Sequence, residues 1–368
     1  MKGNSRYDIK ELGFIPPIYG GVSVSIERLI NKLTADGFIV GGFYTPRNQD
    51  LRIRQSSLFD PELNMSTKKI LFRLPNCVKI LSPYKVLHSH YSLEHMIYIW
   101  CFLVFLHKKV VITVHNSMVH RFYQECGFIN RFFLKRVANH PNVTWIAVSE
   151  QAKKEMLNLP IHLKKTIHVI PAYIPDESKK KSSLPNQLQD YINSHDKNIV
   201  FYGHSFMIHK GKDVYGFEDA LNLYADITKS DGSSIGFVLC LSDDKEKDKI
   251  NELHKKAVTL NIDDQIYWQL GPLDGMKALW TQADVYIRPT CTDGDSLAVR
   301  EALDMGIQVV ASDACIRPNR TIVYKLGDMA DFFSKVKDAL AIQRVPVTPD
   351  YSNYRKIKEI YNELLNSY

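Results

Sequence analysis

The residues best suited to chemistry lie in one segment of the second half, at positions 288–303. The segment reads RPTCTDGDSLAVREAL and follows the apolar run VYI. Its two carboxylates, Asp293 and Glu301, are eight residues apart, the first in a glycine-containing loop and the second inside a predicted helix. A carboxylate that accepts two hydroxyl hydrogen bonds is a common means of holding a ribose or a sugar diol. The loop and the start of the helix, near Ser296, offer backbone N–H donors for a pyrophosphate.

A second candidate is the glycine pair Gly20-Gly21, which follows the first predicted strand and opens the first predicted helix. Glycines let backbone N–H groups approach an anion closely, and the helix N-terminus adds partial positive charge. The spacing differs from that of the dinucleotide-binding fingerprint, so we predict no nicotinamide or flavin cofactor.

Three histidines stand at the ends of predicted strands in the first half. His115 closes the run VVITVH, so we expect its ring to point into a cleft. His88 and His90 end another strand, in the sequence HSH. Two imidazoles suit a metal ion, but no carboxylate or cysteine with suitable spacing accompanies them, and we predict no metal.

Each candidate has a plainer alternative. Asp295 or Ser296 could cap a surface helix whose acidic residues are merely solvated. The glycine pair could be a turn, and the three histidines could be hydrogen-bonded structural residues.

The elements that must position these residues alternate regularly along the chain. Apolar, β-branched runs are separated by amphipathic helical stretches, a pattern that predicts βαβ units and doubly wound parallel sheets. Strands are predicted at 10–15, 39–45, 78–81, 86–88, 110–115, 145–148, 167–170, 199–202, 236–241, 265–269, 285–288 and 308–311. Helices are predicted at 24–36, 93–106, 121–138, 150–157, 217–227, 247–259, 276–282, 296–305, 329–342 and 351–365.

A polar, proline-bounded stretch, PDESKKKSSLPN, divides this alternation in two. We therefore predict an α/β protein of two Rossmann-like lobes that face each other across a cleft. The first lobe would span residues 1–175, joined by a C-terminal helix at 351–368. A linker at 176–195 would lead to the second lobe at 196–350.

Composition and charge narrow the class of protein. The 368 residues are 45% hydrophobic and 24% charged, which excludes a disordered or fibrous chain. Six singly placed cysteines indicate reduced thiols and a cytoplasmic location. The longest apolar run, Met96–Leu106, has 11 residues, against the roughly 20 that span a membrane, and the first residues do not resemble a cleavable signal.

Charge is distributed unevenly between the halves. Residues 1–175 carry 23 basic and 11 acidic side chains, a net +12, whereas residues 176–368 carry 24 and 29, a net −5. A basic half favours phosphates or an anionic membrane face. No nucleic-acid-binding motif is visible, so we expect no nucleic-acid partner.

Taken together, these segments resemble the retaining nucleotide-sugar glycosyltransferases of family 4, which have the two-lobed GT-B fold. That family shows E-G-F-x-L-x-x-x-E followed by A-x-x-x-G-x-P-V-x-A-S-D, and this chain has DGDSLAVRE followed by ALDMGIQVVASD. Asp293 thus replaces the first Glu, and Gln308 replaces the Pro. The family also shows G-R-x-x-x-x-x-K-G after the first strand of the second lobe. Here GHSFMIHKG keeps Lys210 and has His204 in place of the Arg. The resemblance extends to WIAVSE, IHVIPA and ADVYIRPT.

The resemblance implies a role for each candidate. Glu301 would bind the ribose hydroxyls, Asp293 the donor sugar, and the N–H groups of Ser296 and Leu297 the diphosphate. Gly20-Gly21 would close over the diphosphate from the other lobe. Lys210 and His204 would face the leaving diphosphate. His115 would contact the transferred sugar or the acceptor. Neutral His offers less charge than Arg, so either Arg288, Arg300 or Arg317 compensates for it or turnover is modest. Lys210 could also be an ordinary surface lysine.

The implied activity is metal-independent, retaining transfer of a sugar from a nucleoside-diphosphate donor, with uridine the commonest nucleotide and no cofactor. The acceptor would be a glycan or a polyprenyl-diphosphate-linked oligosaccharide of a surface polysaccharide such as O-antigen or capsule. Catalysis would rest on positioning and electrostatic stabilisation. A nucleotide-sugar epimerase on the same fold, or a catalytically impaired nucleotide-sugar-binding protein, are the alternatives.

Basic residues are interleaved with aromatic ones in the first half, in KKILFR at 68–73, in Lys108-Lys109 and in NRFFLKR at 130–136. Such a surface suits the cytoplasmic face of an anionic membrane. The alternative is solvated helix faces whose Phe residues point into the core.

Overall fold

The computed structural model describes residues 7–13, 21–43, 83–90, 93–115, 123–124, 126–177, 183–230, 234–273 and 276–367. The chain divides into two compact units. Unit 1 comprises Met1–Asp176 and Asp350–Tyr368, and unit 2 comprises Glu177–Pro349. Within the described ranges, no helix is both long enough and apolar enough to cross a membrane.

Unit 1 is built on a six-stranded sheet in which every neighbouring pair is parallel. The strand order is β2-β1-β3-β4-β5-β6. The strands are β1 Tyr7–Leu12, β2 Val40–Phe43, β3 Tyr84–Ser89, β4 Lys109–Val114, β5 Val143–Ala147 and β6 Ile167–Val169. The helices are α1 Gly21–Ala35, α2 Leu93–Phe105, α3 Phe128–Ala138, α4 Glu150–Leu157 and, from the C-terminal segment, α11 Ser352–Asn366.

Helices cover both faces of this sheet, which explains why its strands are apolar at successive positions. Val110 and Ile112 of β4 lie in the core cluster formed with α2, α3 and α4. Val111, between them, faces the opposite cluster, to which α1 and α11 contribute. The C-terminal helix is therefore an integral part of unit 1 and packs on its sheet through Tyr354 and Tyr361, among others.

Unit 2 repeats this architecture. Its parallel sheet has the order β11-β10-β7-β12-β13-β14, and β8 and β9 form a separate antiparallel hairpin. The strands are β7 Lys197–Gly203, β8 Ile208–His209, β9 Lys212–Asp213, β10 Ile235–Leu241, β11 Ile266–Leu270, β12 Val285–Arg288, β13 Gln308–Ser312 and β14 Ile322–Tyr324. The helices are α5 Asn186–Asn193, α6 Phe217–Ser230, α7 Lys247–Thr259, α8 Met276–Gln282, α9 Leu297–Asp304 and α10 Met329–Ala341.

The two-sided packing also holds in unit 2. Val285 and Ile287 of β12 face the cluster that α6, α7 and α10 line. Tyr286 faces the other cluster, with α5, α8 and α9. Burial on both faces is what a parallel sheet between helices requires.

The structure differs from the sequence-based expectations in several places. The predicted linker at 176–195 contains α5, whose Leu188 and Ile192 are buried in the core of unit 2. The hairpin β8–β9 and the three-residue strand β14 were not predicted. The strand predicted at 10–15 begins earlier, at Tyr7, and the strand predicted at 78–81 lies outside the described residues.

The strand order places a switch point in each sheet, where the chain continues on the opposite side of its first strand. In unit 1 it lies between β1 and β3, and in unit 2 between β7 and β12. Ligands of open α/β sheets bind outside the carboxyl ends of the strands at such points. Glu11 and His88 are paired at the first, and β12 leads into the segment at 288–303 at the second.

Candidate functional site

The loop from β12 to α9 carries most of the predicted donor site. Ser296 is the N-cap of α9, with extended backbone angles (φ −69°, ψ 113°), and its Oγ accepts a hydrogen bond from the Val299 N–H. The capping alternative for Ser296 is therefore correct. It does not compete with the predicted role, because a cap leaves other N–H groups of the first turn without acceptors in the helix. The predicted diphosphate contact at Ser296 and Leu297 uses such groups.

Asp293 lies between two arginines. Nε and Nη2 of Arg288 donate to its two carboxylate oxygens at 3.0 and 3.2 Å, and Nη1 of Arg317 donates to Oδ2 at 2.9 Å. The side chains are 9% exposed for Arg288, 10% for Asp293 and 2% for Arg317. Burial acts to raise the pKa of Asp293, but the two guanidiniums outweigh it and hold that pKa below its usual value. Asp293 is thus an ionised group that is paired with two buried cations.

The same arginines tie the loop to the sheet. Arg288 donates to the carbonyl oxygen of Tyr202 at the end of β7, at 3.2 Å. Arg317 donates to the hydroxyls of Thr290 and Ser312 at 2.9 and 3.0 Å. These bonds hold the carboxyl ends of β7, β12 and β13 in one geometry, which is what a preorganised binding loop needs.

This arrangement bears on the compensating cations that the sequence suggested. Arg288 and Arg317 are both paired with Asp293. Arg300 is paired with Asp295, at 2.6 Å between Nε and Oδ1. All three arginines therefore already have a carboxylate partner in this loop. The contact of Asp293 with a donor sugar stays a prediction, and it would have to coexist with the two ion pairs.

Glu301 lies one turn into α9. Its Oε2 accepts a hydrogen bond from the indole N–H of Trp280 at 3.3 Å, and the residue is partly exposed. A fixed, partly exposed carboxylate beside a helix N-terminus fits the predicted ribose contact, which stays a prediction.

His204 and Lys210 follow the end of β7. The His204 carbonyl accepts the Asp243 N–H at 2.7 Å, and the side chain is partly exposed. Lys210 and Gly211 form the turn of the β8–β9 hairpin, both with positive φ (50° and 76°), and Lys210 is exposed. Two positive φ values are typical of a type I′ turn, which explains why glycine follows the lysine. The motif thus places Lys210 at a hairpin tip.

The hairpin is anchored against the β12–α9 loop. Val214, just after β9, donates to the Met207 carbonyl at 2.8 Å and accepts from the Cys291 N–H at 3.0 Å. Gly216 has φ +73°, and a Cβ there would lie 2.3 Å from the Pro289 carbonyl oxygen. The structure therefore brings the two predicted motifs of unit 2 together at the carboxyl edge of its sheet.

In unit 1, Gly21 is the first residue of α1 and is exposed, whereas Gly20 lies outside the described residues. His115 follows β4 and is partly exposed. Its Nε2 is 3.0 Å from Nδ1 of His90. The sequence did not predict this pairing of two histidines.

Beneath His115 lies a buried polar network. The Glu11 Oε2 is 2.9 Å from Nε2 of His90 and 3.1 Å from Nδ1 of His88, and the Tyr361 hydroxyl donates to Oε1 at 2.7 Å. Nδ1 of His88 also bonds the Tyr361 hydroxyl, and its Nε2 lies 2.7 Å from the Thr113 hydroxyl. Burial acts to raise the pKa of Glu11, but His88 and His90 outweigh it and lower that pKa to about 2. Burial lowers the pKa of His90 to about 4 and that of His115 well below its usual value.

The expectation that no carboxylate accompanies His88 and His90 is wrong. The parallel pairing of β1 with β3 puts Glu11 opposite His88. One ligand-type atom from each of Glu11, His88 and His90 lies within 4.8 Å of the other two, close enough for a metal ion. The absence of a metal remains a prediction. Sequence spacing could not show this cluster, because Glu11 lies on β1, whereas His88 and His90 lie at the end of β3.

Comparisons with known proteins support the fold. Residues 19–177 match the family model Glycosyltransferase Family 4. No curated protein matches the chain. A glycosyltransferase from Rickettsia africae ESF-5 superposes with a TM-score of 0.71 at 14% identity, covering 99% of this chain and 100% of that one. The chain has the GT-B fold.

Two further structures share it. Anabaena Alr3699/HepE, solved in complex with UDP and glucose, has a TM-score of 0.66 at 14% identity and covers 97% of this chain and 100% of its own. WaaG, a glycosyltransferase involved in lipopolysaccharide biosynthesis, has a TM-score of 0.57 at 12% identity over 98% of this chain and 94% of its own. The α/β class and the parallel sheets predicted from the sequence are thereby confirmed.

Proposed function

We propose that the protein is a retaining glycosyltransferase that moves a sugar from a nucleoside-diphosphate donor, UDP-sugar being our first choice, to a hydroxyl of a glycan or lipid-linked oligosaccharide. The single observation that carries this proposal is the β12–α9 loop. It sets a helix N-terminus and the partly exposed Glu301 at the switch point of a parallel sheet. Donor groups for a diphosphate and an acceptor for a ribose diol meet there.

Two comparisons support the choice of donor and reaction. The first unit matches the family 4 model, and the structurally similar Alr3699/HepE was solved with UDP-glucose. In our proposal the N–H groups of Ser296 and Leu297 bind the diphosphate and Glu301 binds the ribose. Lys210 stabilises the charge that develops on the leaving diphosphate. Transfer proceeds without a metal, by front-face attack of the acceptor hydroxyl, so that positioning supplies most of the acceleration.

The experiment is a panel of uridine, guanosine and adenosine diphosphate sugars, with thermal shift and donor hydrolysis as readouts. We expect one nucleotide to raise the melting temperature and its sugar to be hydrolysed. Glu301→Gln should weaken both effects. The matched control is Glu252→Gln, an exposed acid on α7 of the same unit. No stabilisation and no hydrolysis by any member of the panel would contradict the proposal.

A second candidate function is a nucleotide-sugar-binding protein without turnover. The observation that favours it is Asp293, which stands where the related enzymes have Glu and is engaged by two arginines. Stabilisation by a nucleoside diphosphate, without hydrolysis or transfer on any acceptor, would identify this function. An epimerase would instead release a free sugar from the donor alone.

We also propose peripheral contact with the cytoplasmic face of a membrane, where a surface-polysaccharide precursor would be extended. On α3, Phe128 is 82% exposed, Ile129 59% and Phe132 48%, and Lys135 and Arg136 beside them are exposed. Phe133 instead packs against the core, so the alternative expectation, Phe residues that point into the core, applies to Phe133 and not to Phe132. Exposed aromatics beside cations favour an anionic interface.

Vesicle sedimentation tests this contact. Phe128→Ser should reduce binding to vesicles containing phosphatidylglycerol. The matched control is Val258→Ser, which removes an exposed apolar side chain (60% exposed) from α7 in unit 2. Equal binding to neutral and anionic vesicles, or equal loss in both variants, would refute it. The segment at 68–73 lies outside the described residues.

A further inference from the structure

A chain of hydrogen bonds leads from a buried carboxylate to a partly exposed histidine in unit 1. It runs from Glu11 Oε2 to His90 Nε2 at 2.9 Å, and from His90 Nδ1 to His115 Nε2 at 3.0 Å. In each ring Nε2 bonds the partner that lies deeper in the protein, Glu11 for His90 and His90 for His115. The members come from the carboxyl ends of β1, β3 and β4, the edge of the sheet where α/β proteins bind ligands.

The direction of each bond follows from the chemistry of its partners. An ionised carboxylate only accepts, so His90 Nε2 must carry a proton. Because burial lowers the pKa of His90 to about 4, its ring is neutral near pH 7 and its Nδ1 carries a lone pair. His115 Nε2 must then be the donor. Its own low pKa keeps that ring neutral as well, which leaves Nδ1 of His115 as an acceptor.

The rest of the network holds the carboxylate in place. The hydroxyl of Tyr361, on α11, donates to Glu11 Oε1 at 2.7 Å, and Nδ1 of His88 lies 3.1 Å from Glu11 Oε2. Both carboxylate oxygens therefore have partners, and Glu11 is fully buried. Among the residues that the structure describes, none bonds the Nδ1 of His115.

We propose that Glu11 and His90 are positioning residues that fix His115 in its Nε2–H tautomer and present its Nδ1 as the acceptor for a sugar hydroxyl of the substrate. The identity of the substrate in this inference rests on the proposed glycosyltransferase function. The tautomer of His115 does not depend on that function. Holding one nitrogen by an interior partner is the usual way in which a protein selects the working nitrogen of a histidine. Without that partner the ring could rotate or exchange tautomers, and the acceptor would no longer be set toward the hydroxyl.

The direct test observes the unmodified protein and uses a variant only to assign the signal. Nitrogen NMR of the full-length protein, labelled with 15N at histidine, reports which ring nitrogen carries the proton. His115→Ala assigns the signal. We expect a protonated Nε2 and an unprotonated Nδ1 for His115, with the Nε2 proton protected from exchange with water. Protonation at Nδ1, or at both nitrogens near pH 7, would overturn the inference.

Two substitutions at His90 form a matched pair. His90→Gln offers an amide N–H to Glu11 and a carbonyl oxygen to His115, so the protected proton should persist. His90→Leu offers neither, and that proton should exchange rapidly. For hydrolysis of the nucleotide sugar most active in the panel, we expect kcat to fall about tenfold in His90→Leu, as loss of one oriented hydrogen bond implies, and to stay within about twofold in His90→Gln. An unchanged His115 signal in a folded His90→Leu protein would contradict the role of His90.

The outcomes separate this inference from the proposed function. If the tautomer is as expected but no nucleotide sugar binds, the proposed function fails and the positioning of His115 stands. If hydrolysis occurs while His115 is protonated at Nδ1, the inference fails and the function stands. Loss of the His88 and His90 ring N–H signals on addition of Zn²⁺ would assign the cluster to a metal ion and overturn the inference.

Discussion

Replacing Asp293 by Asn should destabilise unit 2 strongly, because it removes one negative charge that serves two buried cations. The substitution keeps the size of the side chain and leaves Arg288 and Arg317, only 9% and 2% exposed, around a neutral amide. Removing one partner of a buried ion pair costs about 3–5 kcal/mol. We therefore expect the free energy of unfolding to fall by about that amount at pH 7.

The matched control is Asp295→Asn in the same loop. Its partner Arg300 is 22% exposed, so water can solvate the unpaired cation, and we expect a loss of about 1–2 kcal/mol. Urea unfolding followed by tryptophan fluorescence measures both variants, since Trp268 and Trp280 lie in unit 2. Hydrogen exchange over residues 288–300 assigns the loss to the loop.

A double-mutant cycle sharpens the test. Arg317→Gln added to Asp293→Asn removes one of the uncompensated cations, so the double variant should be more stable than the sum of the single losses implies. Equal losses of unfolding free energy in Asp293→Asn and Asp295→Asn, together with strict additivity in the cycle, would refute the role of Asp293 as the shared ionised partner of the two arginines.

Three further outcomes are expected. Since the pKa of His90 is about 4 when folded and 6.5 is its usual value, the unfolded chain binds the extra proton between these pH values. This contribution of His90 to the free energy of unfolding should therefore be present above pH 6.5 and fall by about 3 kcal/mol toward pH 4. Urea titrations at a series of pH values should show that the free energy of unfolding falls less steeply with decreasing pH in His90→Gln than in the parent protein. Equal slopes in the two proteins would contradict this. Gly216→Ala should lower the melting temperature more than Gly37→Ala does. Both glycines have positive φ, but only a Cβ at position 216 would lie against a backbone oxygen, at 2.3 Å. Equal melting temperatures would count against the close approach of Gly216 to the Pro289 carbonyl. Tyr361→Phe should cost about 1–3 kcal/mol, since it removes the hydroxyl donor of a buried carboxylate, and an unchanged unfolding free energy would contradict that bond.

Much of the fold could be predicted from hydrophobic periodicity. The bounds of β12, α4, α7 and α8 agree with those predicted from the sequence. Each is a continuous apolar run or an amphipathic stretch, the patterns from which strands and helices are predicted. The short strand β14 and the hairpin β8–β9 have too few residues to show one. Helix α5 was hidden because its neighbours are charged and proline-rich, although its Leu188 and Ile192 are buried.

The site was predictable only where it is local in sequence. The loop and helix start around Ser296 follow from one contiguous motif. The partners that set its electrostatics do not, because Arg317 comes from beyond β13, 24 residues after Asp293. Glu11 and Tyr361 are 350 residues apart and meet only through the fold of unit 1. Strand register and helix packing, which bring such residues together, are not visible in spacing along the chain.

The most direct measurement of the central claim is a crystal structure of the protein with UDP. We expect the diphosphate to bind at the N–H groups of Ser296 and Leu297 and the ribose hydroxyls to bind the Glu301 carboxylate. UDP bound elsewhere, with the start of α9 and Glu301 making no contact to it, would contradict the claim.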